Sequence, residues 1–336
     1  MRVAVLFGGA SRERDVSTAS AAQVFSALRA RGHAVTAIDT AKGALKPAEV
    51  EVFLNSTVTD TPPELSDIPP TDLTAHFTMP GGELHGFDVV FLALHGGAGE
   101  DGTLQALLDS AGIRYTGSGV LGSAVAMDKD LSKRLFHFAG VPTPDWIMAP
   151  ADVATVADQV GFPAIVKPNT EGSTIGLTVV NEPEQLDDAV REASRFGPDV
   201  MIEKFVPGRE FVVGVVDGQP LAVGEIDPQH SEIFDYRSKY QVGGAIETFP
   251  ADLPERLAAE MRRLAVLAHR ALKLGAYSRI DFRMDPDERI WCLEANTLPG
   301  MTATSLLPQS AAAEGIDFPE LCERLCALAL EPPAVT

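Results

Sequence analysis

The sequence predicts an α/β chain that opens on a parallel βαβ unit and continues into two α+β units. Three observations predict it. Residues 3–7 are a short apolar run that stops at Gly8-Gly9, leads into a helical stripe of Ala21, Val24, Phe25 and Leu28, and is followed by a second apolar run at residues 34–38. Residues 169–176 form a Gly/Ser/Thr loop between two further strand-like runs, directly after Lys167. Residues 279–301 alternate apolar and charged positions on both sides of Asp285-Pro286-Asp287-Glu288, a turn-forming sequence, which is the pattern of a β-hairpin.

The chain has 336 residues, enough for two or three domains, and its 45% hydrophobic content supports substantial cores. A formal charge of −20 argues against a nucleic-acid-binding surface, so any polyphosphate ligand must be met by local lysines. The apolar start is too short for a signal segment and no later run could span a bilayer, so a cytoplasmic location is expected. Cys292, Cys322 and Cys326 have no zinc or CxxC spacing and read as buried thiols.

In the first unit, Gly8-Gly9-Ala10-Ser11 matches neither a dinucleotide fingerprint nor a P-loop. Glu13 lies in this βα loop, where α/β domains bind ligands; it reads either as a ligand contact or as a first-turn carboxylate favouring the helix dipole. Gly32 stops the helix. From residue 41 to about 86 the pattern is weak and broken by paired prolines, which predicts loops and short strands. Residues 88–94 form an apolar strand, then His95 and four glycines let backbone approach a ligand before a helix begins near Thr103. His95 reads as structural or as catalytic, its position after a strand matching that of Glu13.

The middle unit opens with Asp128 as N-cap of a helix carrying Lys129 and Lys133. The loop after Lys167 reads as a flap over phosphates or as an ordinary glycine hairpin loop. Glu203-Lys204-Phe205 ends a strand where backbone groups could grip a base and Glu210 could accept sugar hydroxyls; surface charge on a linker is the equal alternative. Residues 230–244 are polar and aromatic without period, the composition of a functional loop. Residues 252–255 are expected to cap a helix that turns Leu257, Met261, Leu264, Ala268 and Leu272 inward.

The hairpin carries the strongest chemical signal. With Met284 opposite Arg289, Asp281 falls opposite Cys292 and Arg279 opposite Glu294, and Asp281, Glu294 and Asn296 share one face. An oxygen-only set of this kind suits Mg²⁺ or Mn²⁺ together with substrate phosphates. The alternative is a solvated face with an Arg279–Glu294 ion pair.

Seven segments in register extend this reading: Gly-Gly-x-Ser-x-Glu-Arg-x-Val-Ser at residues 8–17, Leu-His-Gly to Gly-Glu-Asp-Gly-Thr at 94–103, Tyr-Thr-Gly-Ser-Gly at 115–119, Met-Asp-Lys at 127–129, Val-Lys-Pro with Glu-Gly-Ser at 166–173, Asp-Tyr-x-x-Lys-Tyr at 235–240 and Glu-Ala-Asn-Thr-x-Pro-Gly-Met-Thr at 294–302. By these the chain resembles the D-alanine–D-alanine ligases of the ATP-grasp superfamily along nearly its whole length. It departs at Gly97, where the family often has arginine, at Thr174, where it often has serine, and in a longer stretch before Asp88.

The resemblance implies a three-domain ATP-grasp architecture: a Rossmann-like parallel-sheet domain over residues 1–125, a central subdomain with the phosphate flap over 126–211, and a C-terminal domain with the metal and substrate site over 212–336. It implies that Lys129, Lys167 and Lys239 hold ATP phosphates and that Glu203, Lys204, Phe205 and Glu210 surround adenosine. Asp281, Glu294 and Asn296 would hold two Mg²⁺ or Mn²⁺ ions. Glu13, with His95 nearby, would bind the first D-alanine, Ser305 and the Leu306 N–H the second carboxylate, and Arg279 with the Gly300 N–H the oxyanion. Ser173 and Tyr240 would link flap closure to Glu13. A homodimer is expected, and D-serine or D-lactate is the alternative second substrate. A non-catalytic relative should have lost a metal ligand or Arg279, and a ligase for larger substrates should lack Glu13 or Ser305; this chain keeps all of them.

Overall fold

The computed structural model describes residues 1–58, 82–229 and 243–331, and three sheets organise them. The first sheet contains β1 (Arg2–Phe7), β2 (Ala34–Asp39), β3 (Gly43–Ala44) and β4 (Val89–Leu92), in the order β3-β2-β1-β4. β1 runs parallel to both β2 and β4, and β3 is antiparallel to β2. The βαβ start is therefore as the sequence predicts. Helix Arg14–Ala30 buries Ala21, Val24, Phe25 and Leu28 on the sheet, and Gly32, at φ +83°, stops it while His33 N–H closes back on Leu28 O at 3.1 Å.

Among its described residues the weakly patterned stretch contains a short 3-10 helix at Glu83–Gly86 and a helix at Pro47–Phe53, neither announced by periodicity. Both are too short for a periodic signal. Pro47 starts the α-helix, and Phe53 fixes it by stacking on Phe7, with ring centroids 4.7 Å apart, and edge-on to Phe25 at 5.9 Å. The C-terminal helix Phe318–Leu330, capped by Asp317, returns to this same core with Leu321, Cys322, Leu325 and Cys326. All three cysteines are buried and free.

The second sheet is antiparallel: β5 (Trp146–Met148), β6 (Ala164–Pro168), β7 (Thr178–Val180) and β8 (Val200–Lys204), in the order β5-β8-β6-β7. The third, also antiparallel, contains β9 (Arg209–Val216), β10 (Gln219–Pro228), β11 (Ala245–Thr248), β12 (Tyr277–Met284) and β13 (Ile290–Asn296), in the order β11-β10-β9-β12-β13. Helix Glu255–Ala271 lies against it and buries Leu257, Met261, Leu264 and Ala268, with Leu272 just beyond. Each such large side chain contributes about 1.5–3 kcal/mol of transfer free energy. Pro254 precedes this helix and no side chain caps it, contrary to the expected cap.

The cores cut across the sequence divisions. A boundary at 211/212 would cut β9, whereas the passage from the second sheet to the third falls at Pro207-Gly208. Gly208 is required there: it sits at φ +117°, and a Cβ would come within 2.2 Å of Met284 O. Helix Lys129–Ala139 is capped by Asp128, whose Oδ1 accepts from Leu131 N–H at 3.0 Å, and its Phe136 packs in the core of the third sheet.

The hairpin exists, with a different register. Met284 faces Ile290, Phe282 faces Cys292, and then a bulge intervenes, so that Asp281 faces Glu294 and Arg279 faces Asn296. An uninterrupted alternation would put Cys292 and Glu294 on one face. The bulge separates them. Cys292 and Ala295 enter the core, while Glu294 and Asn296 lie opposite Asp281 and Arg279.

Candidate functional site

A cleft between the second and third sheets is floored by charges that β6, β8, β12 and β13 bring together. Lys167 on β6, Glu203 and Lys204 on β8, Asp281 on β12 and Glu294 on β13 line it, and the loop 171–175 covers it. Phe205 and Glu210 complete one wall, Phe205 carrying the Arg283 guanidinium 5.3 Å above its ring. With Lys129, which also lines the cleft, these are the predicted nucleotide residues and two of the predicted metal ligands, apart from Lys239, which lies outside the described residues together with Tyr240.

Glu203 is buried, and both of its oxygens are taken. Lys133 Nζ donates to Oε1 at 2.5 Å and Lys167 Nζ to Oε2 at 2.7 Å. Burial alone would raise this carboxyl, but the two ammonium groups outweigh it and hold it at about 2. Its side chain is thus turned to the lysines, on a strand whose backbone is paired with β5 on one side and β6 on the other. Lys133, absent from the predicted site, is wholly buried; it also donates to Thr143 Oγ1 at 2.6 Å and lies 5.0 Å from the Trp146 ring centroid. The signal was legible, since Lys133 follows Lys129 by one helical turn.

Lys129 donates to the Glu171 carbonyl at 2.5 Å and stands 3.7 Å from Glu294. Burial lowers its pKa, Glu294 opposing and Lys167 adding to the shift. Arg279 grips Asp281 through Nε and Nη2, both at 2.7 Å, and Asn296 Nδ2 donates to Asp281 at 3.1 Å. The ion pair therefore runs along one strand and replaces the Arg279–Glu294 pair considered from sequence. Among the described residues no three His, Cys, Asp or Glu side chains form a ready-made metal cluster. The donors nonetheless fit a hard cation: two carboxylates on facing positions, an amide beside them, and lysines that leave room for phosphate oxygens.

Beyond the cleft, a second group gathers around the turn 297–305. Ser173 hydroxyl hydrogen-bonds Glu13, which joins the flap to the first βα loop. Ser173 and Thr174 stand at φ +48° and +64°, a conformation that costs non-glycine residues about 1–3 kcal/mol each. His95 does not turn toward Glu13 with a free nitrogen. Its Nδ1–H donates to Leu298 O at 2.8 Å, since a carbonyl only accepts, and Nε2 meets Ser20 Oγ at 3.3 Å. Burial lowers the imidazole pKa, with Glu13 opposing, so the ring is neutral and orients the turn.

Ser20 also accepts from Met301 N–H at 3.2 Å, and Gln23 Oε1 accepts from Ala303 N–H at 2.7 Å. Glu100 joins from the glycine loop, accepting from Gly96 N–H at 2.7 Å and Leu298 N–H at 3.1 Å. Ser20, Gln23 and Glu100 were not foreseen. Their partners are backbone groups some two hundred residues or more away for the turn contacts, which no local pattern reveals. At Gly300 a Cβ would come within 2.9 Å of Ser305 Oγ, so a larger residue there would displace that hydroxyl. Ser305 precedes helix Leu306–Ala313 and turns its hydroxyl back to Thr302 N–H at 3.1 Å, leaving the helix start without a side-chain cap. An uncapped helix start is suited to a carboxylate.

Comparison with known proteins agrees with this geometry. A model of the D-ala D-ala ligase N-terminus matches residues 2–118 and one of the D-ala D-ala ligase C-terminus matches residues 129–327. The chain is 42% identical over 328 residues to a D-alanine–D-alanine ligase of Anaeromyxobacter sp. (strain Fw109-5), covering 96% of this chain and 95% of that one. It is 41% identical over 331 residues to the enzyme of Gloeobacter violaceus, covering 97% and 98%. Among solved structures, it superposes on the D-alanine–D-alanine ligase from Bacillus anthracis complexed with ATP with a TM-score of 0.76 at 29% identity, covering 98% and 97% of the two chains. Another structure of the Bacillus anthracis ligase gives 0.75 at 30% identity, with the same coverage. Two family models that together cover most of the chain, and relatives 41–42% identical over nearly all of it, show its lineage: this chain belongs to the D-alanine–D-alanine ligase family.

Proposed function

We propose that the chain joins two molecules of D-alanine into D-alanyl-D-alanine for peptidoglycan precursor synthesis, converting ATP to ADP and phosphate through D-alanyl phosphate. The observation that carries this is the Ser173–Glu13 hydrogen bond, which closes the nucleotide flap onto an amino-acid site. The first carboxylate attacks the γ-phosphorus, and the bond to the ADP oxygen breaks. The amine of the second D-alanine, having lost a proton, attacks the acyl carbon, and phosphate leaves.

Lys129 and Lys167 face the cleft and suit the phosphates, Lys167 giving up part of its bond to Glu203. Backbone groups of Glu203, Lys204 and Phe205 would hold adenine and Glu210 the ribose. Asp281, Glu294 and Asn296 would hold two Mg²⁺ or Mn²⁺ ions, which when bound offset charge on the transferred phosphoryl group. Glu13 pairs with the first ammonium, while His95 fixes the turn behind it. Arg279 and the Gly300 N–H are assigned to the oxyanion, Ser305 and the Leu306 N–H to the second carboxylate. Flap closure excludes the water that would hydrolyse the acyl phosphate, and Tyr240 and Lys239 are expected to join it.

The test is phosphate release from ATP and Mg²⁺ with D-alanine against L-alanine, with the dipeptide identified by mass. Release with D-alanine alone is expected; equal release with both would remove the amino-acid assignment. D-serine or D-lactate remains the alternative second substrate, and ligation of D-lactate as readily as D-alanine at pH 7 would favour it. No described helix is long and apolar enough to cross a membrane. A cytoplasmic homodimer is proposed, its mass to be read by light scattering.

A further inference from the structure

Two adjacent residues of the first βα loop touch the flap unit of the second sheet, and the reaction uses only one of them. Glu13 receives Ser173. Its neighbour Arg12 occupies a position that the family motif leaves open, yet it reaches across to the same unit, its guanidinium 5.3 Å from the Phe196 ring centroid. Phe196 lies just after helix Leu186–Ala193 and fills the space under the far end of the flap. A Cβ on Gly176 would come within 2.6 Å of its ring.

The flap therefore has a support at each end, with Ser173 and Thr174 between them in the left-handed region. Thr174 is β-branched, so this backbone persists only if its surroundings impose it. Arg12 also acts on a carboxylate: Glu171 is raised by burial and by Glu13, and Lys129 and Arg12 oppose that shift. A cation at position 12 relieves repulsion where the flap comes down. Arg12 is half-buried, so the contact is neither deep core nor free surface.

We propose that Arg12 is a positioning residue that latches the βα loop onto Phe196 and so holds the strained flap, with Ser173, against Glu13. It makes no contact with reacting atoms. It sets how long the flap stays shut, and through that how much acyl phosphate reaches the amine rather than water. The activity part of this proposal rests on the ligase reading; the closure part does not.

The experiment uses the full chain and the variants Arg12→Ala, Phe196→Leu, their double, and Arg12→Lys. Two quantities are read: phosphate released per dipeptide with ATP, Mg²⁺ and D-alanine, and amide exchange of residues 172–176 without substrates. A cation–π contact at a partly exposed site corresponds to about a two- to fivefold effect. Arg12→Ala should raise both quantities by that factor, Phe196→Leu should match it, and the double should add little more. Arg12→Lys should fall between, keeping charge but losing planar stacking. An unchanged exchange rate in Arg12→Ala, or additive effects in the double, overturns the latch. Should the wild type form no dipeptide, the ligase reading fails while the exchange measurement still decides the latch.

Discussion

Two carboxylates, one on each side of the site, are treated in opposite ways. Glu203, under the nucleotide cleft, has an ammonium on each oxygen and is held at about 2. Glu100, behind the proposed amino-acid side, is held by neutral groups: the N–H of Gly96 and of Leu298 and, at 3.5 Å, the Thr297 hydroxyl. Burial and the nearby Glu13 push it up to about 7, against those two hydrogen bonds and Arg279. The nucleotide side is thus a set of paired charges that a polyanion can re-pair. The proposed amino-acid side is a scaffold of neutral hydrogen bonds around Glu13. Compensation in one place and its absence in the other suit what each side is proposed to bind.

The largest expected effect lies on the charged side. Glu294→Gln keeps the shape of β13 but removes the carboxylate facing Asp281 and Lys129. Turnover at ordinary Mg²⁺ should fall by several orders of magnitude with the circular dichroism spectrum unchanged. Near-normal ligation would show that the hairpin face is not where the charge of the triphosphate is met.

Next comes Glu203→Gln, which leaves Lys133 and Lys167 facing each other without their anion. Breaking a buried pair from one side typically costs about 3–5 kcal/mol. The pH dependence gives the sign. A carboxyl held at about 2 against an ordinary 4.5 contributes stability that is present above 4.5 and lost as pH falls toward 2. Denaturant midpoints between those limits should slope steeply in the wild type and more gently in the variant. Equal slopes would mean that Glu203 is not the compensated anion this comparison makes it.

Glu13→Gln tests the other side. Replacing a charge-assisted bond to an ammonium by a neutral one should weaken D-alanine by about ten- to a hundredfold and ATP far less. Equal losses for both ligands, read by titration calorimetry, would return Glu13 to the role of a helix-start carboxylate.

The same contrast explains what was legible in the sequence. Lys129, Lys167 and Glu294 could be named because each sits within a quoted motif, and Glu203 and Asp281 because a charge inside an apolar run stands out. The register of the hairpin could not be read, because one bulged residue reverses which side chains face the core, and a bulge leaves no mark in an alternating pattern. The turn 297–305 was found as a motif, but Ser20, Gln23 and His95, which hold it, act through long-range bonds to its backbone. Any polar side chain could serve such a bond. Lys133 shows the remaining limit: its spacing placed it beside Lys129, but only the packed structure shows it turned inward to Glu203 rather than outward to a ligand.

The smallest expected effect is the one that most sharpens the contrast. Glu100 stands at about 7 against an ordinary 4.5, so the folded chain keeps a proton that the unfolded chain releases. Stability should therefore fall as pH rises from about 4.5 to 7, the reverse of the Glu203 slope in direction and separate from it in pH. Glu100 is partly exposed, and solvent will moderate the effect, so a change of a few degrees in melting temperature is the appropriate scale. Glu100→Gln keeps an oxygen for one of the two N–H groups and removes the titration, so it should flatten that slope. Glu13→Gln should flatten it in part, since the charge of Glu13 adds to burial in raising Glu100. If neither variant changes the slope between pH 4.5 and 7, Glu100 is ionised throughout like Glu203, and the two sides of the site are not electrostatic opposites.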